Sequence, residues 1–102
     1  MSRHHLTATI TNKNGRILSK ASNSYEKTHP LQYRFACNVG KPDSIYLHAE
    51  IHALTKLPKN AKPFKIFVER YKKNGDPGNA KPCKACEKAL KAFGIHRIEY
   101  TL

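Results

Sequence analysis

The chain is short of acid. Seven Asp and Glu stand against 19 Lys and Arg among 102 residues, a formal net charge of +12. That imbalance excludes an acidic, cation-collecting surface and favours polyanionic partners, whose encounter a positive field accelerates. The basic residues are spread along the chain with no tail-like block, so the charge belongs to a folded surface. Cysteine is scarce as well. Three residues, an odd number, do not make a secreted disulfide framework, and a reducing, cytoplasmic setting is the simplest expectation. No apolar run approaches the length of a membrane span, and "MSRHHLTATI" lacks the apolar core of a secretory leader. Internal repeats and low-complexity linkers are missing too. The length suits one compact domain over residues 1–102, with a modest core.

What is present reads as alternating strands and helices. "LTATI" and "RILSKAS" alternate apolar and polar residues around "NKNG", where Asn14-Gly15 supplies the positive φ of a hairpin turn. "HPLQYRFACNVG" predicts a helix started by Pro30 and ended by Gly40, with Leu31, Phe35 and Ala36 on one face. "DSIYLHAEIHALTKL" predicts a second helix, capped by Asp43 or Ser44 and stopped by Pro58. "PFKIFVERY" is rich in β-branched and aromatic residues and predicts a strand. The turn-rich "KKNGDPGNAK" leads to a third helix, "PCKACEKALKAFG", with Pro82 near its start and Gly94 past its end, and "IHRIEYTL" is a last strand. The order β-β-α-α-β-α-β predicts a three-layer α/β/α fold on a mixed sheet, with the last two strands parallel.

Two short stretches carry chemistry. In "PCKAC", Cys83 and Cys86 lie at i and i+3 in the first turn of a helix, where the dipole and free N–H groups favour thiolates. Two thiolates leave a tetrahedral zinc short of ligands, and His48 in "YLHAEIHAL" is the natural third. Four arrangements fit these residue types. A thioredoxin-like redox pair fits the CxxC spacing, but Pro82 precedes it and no Trp or Gly accompanies it. An HExxH protease requires the glutamate one residue earlier than Glu50. A closed Cys₂His₂ site would add His52 to His48, Cys83 and Cys86. A hydrolytic zinc would use His48, Cys83 and Cys86, keep one position open, and employ Glu50 as acid/base.

His48-Ala49-Glu50 followed by Pro82-Cys83-Lys84-Ala85-Cys86 resembles the H-x-E…P-C-x-x-C pattern of the cytidine deaminase-like superfamily, which includes cytidine, deoxycytidylate, tRNA adenosine and APOBEC-type enzymes. The likeness extends over the whole chain in element order. It implies a Zn²⁺ held by His48, Cys83 and Cys86. It also implies that Glu50 shuttles protons while activated water attacks the amino-bearing carbon of cytosine or adenine. His52 is then left to pack or hydrogen-bond within the fold, and Cys37 has no metal role. Relatives hold the ribose with an asparagine after the second strand. Asn23 is at the matching place, although "SNS" is also turn chemistry. His29 either reaches substrate or caps the next helix.

The substrate class is less specified. Lys81 stands where many relatives have Glu or Ser, and the absence of that Glu favours cytosine over adenine. Lys72, Lys73 and Lys81 flank the unusually long loop into the metal ligands. Tyr25, Tyr33, Phe64 and Tyr71 are either base-stacking platforms or core residues. These features and the net charge point to single-stranded nucleic acid as partner. The alternatives are free (deoxy)cytidine or dCMP, adenosine in RNA, and a non-catalytic zinc-stabilised binding module, for which Glu50 would have no use. The chain ends with its fourth strand, whose Ile98, Tyr100 and Leu102 alternate with polar neighbours. Such an edge invites a homo-oligomer.

Overall fold

A computed structural model describes residues 5–24, 28–38, 40, 47–72 and 74–102, the side chains of residues 35, 36 and 38 excepted. Its elements run β1 (Leu6–Thr11), β2 (Ile17–Ser22), α1 (Pro30–Asn38), α2 (Ala49–Thr55), β3 (Lys65–Arg70), α3 (Lys84–Ala92) and β4 (Arg97–Tyr100). This is the expected order. The sheet order is β2-β1-β3-β4, so β2 and β4 are the two edges. β1 is antiparallel to both neighbours, and β3 and β4 are parallel, which makes the sheet mixed.

Strand periodicity sorts the residues by face. Ala8, Ile10, Ala21, Ile66 and Val68 are buried, whereas Thr7, Thr9, Thr11 and Phe67 on the opposite face are half-buried. The buried set meets Ile51, Ala53 and Leu54 of α2 and Ala85, Cys86, Ala89 and Leu90 of α3 in one core. α2 lies along β1 and β2, and α3 packs against α1 and α2. Two bonds fasten α2 to β2: the Ser19 hydroxyl donates to the Ala53 carbonyl at 2.9 Å, and His52 Nδ1 bonds the Ser22 carbonyl at 2.8 Å.

Three local features differ from the sequence expectation. The first hairpin turns on Gly15 alone (φ 86°), because Asn14 keeps a negative φ. Asn12 makes the longer loop possible, its Oδ1 accepting from the Asn14 and Arg16 amides at 2.9 Å each. The second helix is shorter than predicted: Leu47 and His48 are non-helical, and His48 is the N-cap in an extended conformation (φ −77°, ψ 154°). Two tertiary bonds hold that segment extended. The Ser24 amide donates to the Leu47 carbonyl at 2.8 Å, and the His48 amide to Gln32 Oε1 at 3.1 Å. The proposed caps Asp43 and Ser44, and the packing of Phe35 and Ala36, lie outside the described residues.

The third difference is the loop after β3, which is a folded hairpin. Lys72 N–H donates to the Asp76 carbonyl at 2.7 Å, Tyr71 bridges Pro77, and Gly78 N–H donates to the Arg70 carbonyl at 2.7 Å. Thr101 staples it shut, its hydroxyl 2.6 Å from the Gly78 carbonyl and accepting from the Arg70 amide at 3.0 Å. Ala80 N–H then donates to the Thr101 carbonyl at 2.8 Å, and the chain enters α3 through buried Pro82. The far end of α3 closes as expected with Gly94 (φ 83°). Its amide bonds the Lys91 carbonyl and that of Ile95 the Leu90 carbonyl, a double bond pattern that stops the helix and buries Ile95.

Candidate metal centre

His48 and Cys83 are the N-caps of α2 and α3, and neither side chain caps its own helix. Both are therefore free to turn toward the space between the two helix starts. Cys86, one turn into α3, completes the group, and the donor atoms of His48, Cys83 and Cys86 all lie within 4.8 Å of one another. His48 Nδ1 is 3.3 Å from Cys86 Sγ and 3.5 Å from Cys83 Sγ. One imidazole and two sulfurs at such spacing make a donor set for zinc, with ligand bonds of about 2.0–2.3 Å, and leave a fourth position open. Cys86 is buried and Cys83 exposed, so the cluster opens to solvent on one side.

The electrostatics suit a cation. The Cys86 thiol bonds Cys83 and brings its pKa down to about 4, with His48 adding to the effect. That same bond raises Cys86 well above the ordinary thiol range, and burial and the Glu50 charge add to it. His48 is raised chiefly by its bond to Cys83. Metal binding would have to displace the proton that the Cys83 bond holds on Cys86.

Glu50 is 4% exposed in the first turn of α2. Burial raises its pKa, while contacts with Cys86 and His48 pull the other way. A carboxyl beside these donors, and driven upward by desolvation, is suited to holding and passing on a proton.

Family comparison addresses the same residues. The model of the cytidine and deoxycytidylate deaminase zinc-binding region matches residues 1–102. The chain belongs to that family. Comparison with curated proteins finds no significant match. Membership accords with the His/Cys/Cys group and with Zn²⁺ as cofactor, and places the mixed α/β sheet among deaminase-type folds. No helix among the described residues is long and apolar enough to cross a membrane.

The remaining candidates lie outside this donor cluster. His52 stands apart from the donor cluster, held by the Ser22 carbonyl. Asn23 Oδ1 accepts from the Leu6 amide at 2.9 Å, bracing the end of β2 against β1. His29 Nδ1 accepts from the Leu31 amide at 3.0 Å and so caps α1. Lys72 and Lys81 are exposed on the hairpin and just before Pro82, and Lys73 lies outside the described residues. Of the aromatic candidates, Tyr33, Phe64 and Tyr71 are exposed, with Tyr71 Oη donating to Glu69 at 3.1 Å, and Tyr25 lies outside the described residues. Sequence reasoning missed Gln32. It is fully buried in α1 and fixes the His48 amide, yet nothing in "PLQYRF" distinguishes it from a surface glutamine.

Proposed function

We propose that the protein is a zinc-dependent hydrolytic deaminase that converts cytosine to uracil in single-stranded nucleic acid. The observation that carries the reading is the buried Glu50 carboxyl placed two residues after His48 and beside Cys86, within a family of deaminase zinc-binding domains. A purely structural zinc site has no use for a desolvated carboxyl at that place, whose burial has a cost.

His48, Cys83 and Cys86 would hold the zinc. When bound, the ion supplies Lewis acidity that brings the pKa of a water on it from 15.7 to about 7. Glu50 supplies the proton path. It takes a proton from the attacking water, delivers it to the ring nitrogen N3, and serves the amine as it departs. One water is consumed, the C4–N bond breaks, a C4–O bond forms, and ammonia leaves. Gln32 and the Leu47–Ser24 bond keep the His48 backbone extended, which directs its imidazole away from α2 and toward the two cysteines.

The net charge of +12, exposed Lys72 on the hairpin and exposed Lys81 two residues before Cys83 support a polyanionic substrate. Exposed Tyr33, Phe64 and Tyr71 are available for stacking on unpaired bases. A second reading, deamination of free dCMP or cytidine, is favoured by the family description itself. Incubation of zinc-loaded protein with dCMP, cytidine, single-stranded DNA and RNA, with products read by mass spectrometry, separates the two. Uracil in the single strand is expected, with turnover falling steeply as salt rises. Efficient dCMP turnover with none on single strands installs the second reading. Retained zinc without turnover of any substrate leaves a binding module.

A further inference from the structure

The sheet has two edges, and they differ. Along β2 the pairing shifts between Ile10 and Thr11, an irregularity of the kind that blunts an edge against further pairing. β4 has none. Its four residues, Arg97–Tyr100, include neither proline nor glycine and run in unbroken parallel register with β3. The Thr101 amide donates to the Val68 carbonyl at 3.1 Å, so the backbone groups of Thr101 turn toward β3. Backbone groups alternate in direction along a strand. Those of Arg97 and Glu99 therefore turn inward too, and the N–H and C=O groups of Ile98 and Tyr100 point out of the sheet.

The side chains of β4 also alternate. Ile98 and Tyr100 pack against the core that α2 and α3 cover. Arg97 and Glu99 stand on the opposite face, where Arg97 Nε is 3.3 Å and Lys65 Nζ 3.5 Å from the Glu99 carboxylate. Their side chains are 64% and 39% exposed, so the pair within the strand holds them weakly. At +12 per chain, most contacts between two copies set like charge against like. β4 escapes that penalty, because it carries one charge of each sign two positions apart.

We infer that β4 is the interface of a homodimer, in which it pairs antiparallel with β4 of a second copy about a two-fold axis at Ile98. An axis perpendicular to the sheet keeps the helices of both copies on one side, so residues of the same face must stand opposite each other. Charge then selects the register. Centred on Arg97, the pairing sets two guanidinium groups together; centred on Glu99, it sets two carboxylates together. Centred on Tyr100, it places Glu99 opposite Thr101 and gains no ion pair. Centred on Ile98, it puts Arg97 opposite the partner's Glu99 and Glu99 opposite the partner's Arg97. The outward backbone groups of the two Ile98 residues exchange bonds in this register. Arg97 and Glu99 then form the narrow kind of antiparallel pair, about 4.5 Å between Cα atoms, where side chains meet most closely. The two sheets become continuous, and both donor clusters lie on the same side of them. The pairing does not rest on the deaminase reading.

The test follows the zinc-loaded chain by sedimentation velocity from about 10 µM to about 1 mM, because a short strand pair belongs with the small, transient interfaces. Reversible dimerisation is expected, with the Ile98 and Tyr100 amides slowing in hydrogen exchange as concentration rises. Arg97→Glu and Glu99→Arg should each raise the dimer Kd about tenfold or more with zinc content intact, since either one turns both cross-strand pairs from attraction to repulsion. An equimolar mixture of these two variants should regain wild-type association, and so should the double variant Arg97→Glu/Glu99→Arg alone. Misfolded single variants could not produce that recovery. A chain that stays monomeric throughout the range overturns the inference. So do single variants that associate like the wild type, or a mixture and a double variant that stay apart. A dimer that leaves the Ile98 and Tyr100 amides unprotected places the contact elsewhere and overturns it as well. Protection of those amides that needs added single-stranded DNA, and not concentration, gives the edge to that polymer and has the same consequence.

Discussion

Replacing Glu50 with glutamine keeps the side chain's volume and removes its capacity to accept and return a proton. General acid–base groups contribute typically 10²–10⁴-fold, or about 2.7–5.4 kcal/mol of activation free energy at 1.36 per decade. The upper part of that range is expected because no neighbour is placed to substitute. His48 belongs to the donor cluster, and His52 is committed to the Ser22 carbonyl. Stability should move the other way. Burial raises the Glu50 pKa above its unfolded value, so the folded metal-free chain binds the proton more tightly than the unfolded chain. Stability from this group is then present below the unfolded pKa, about 4.3, and declines as pH rises toward the folded value. Glutamine removes that decline. The metal-free Glu50→Gln protein should melt at or above the wild-type temperature at pH 7.5, and the two should converge near pH 4. The assay is single-turnover deamination beside zinc analysis and thermal melts at both pH values. A variant that retains more than a tenth of wild-type turnover, with full zinc, would refute the role given to Glu50.

Four further outcomes follow from the same geometry. Cys83→Ser and Cys86→Ser should each lose zinc measured by mass spectrometry, while Cys37→Ser should keep one equivalent, since only the first two join the donor cluster. In metal-free protein, iodoacetamide should label Cys83 with a midpoint near pH 4, zinc should protect it, and buried Cys86 should stay unlabelled; a midpoint above pH 8 at Cys83 would refute the hydrogen-bonded cluster. Gln32→Leu should weaken zinc binding in competition with a chelator by about 10–100-fold, the range for groups that orient a ligand from behind; unchanged affinity would reject its positioning role. Thr101→Val should cost about 1–3 kcal/mol in urea unfolding, because the Gly78 carbonyl and Arg70 amide both lose its hydroxyl.

Much of the fold and of the donor cluster was legible from residue order. Alternation in "LTATI", the β-branched and aromatic residues of "PFKIFVERY", the positive-φ glycines at 15 and 94, and the prolines at 30 and 82 each act within a few residues, so local physics was enough to order the elements. The metal donors were also legible, because H-x-E and P-C-x-x-C are short local patterns and the two cysteines are spaced i, i+3. Tertiary structure decided where those helices begin. His48 is an N-cap and not a helical residue because Gln32 and Ser24, distant in sequence, take up the backbone groups of its segment. The hairpin before Cys83 likewise depends on Thr101, which closes it from the far end of the chain. Local propensity acts over a turn or a strand, whereas convergence of such residues requires the long-range burial that only the folded chain supplies.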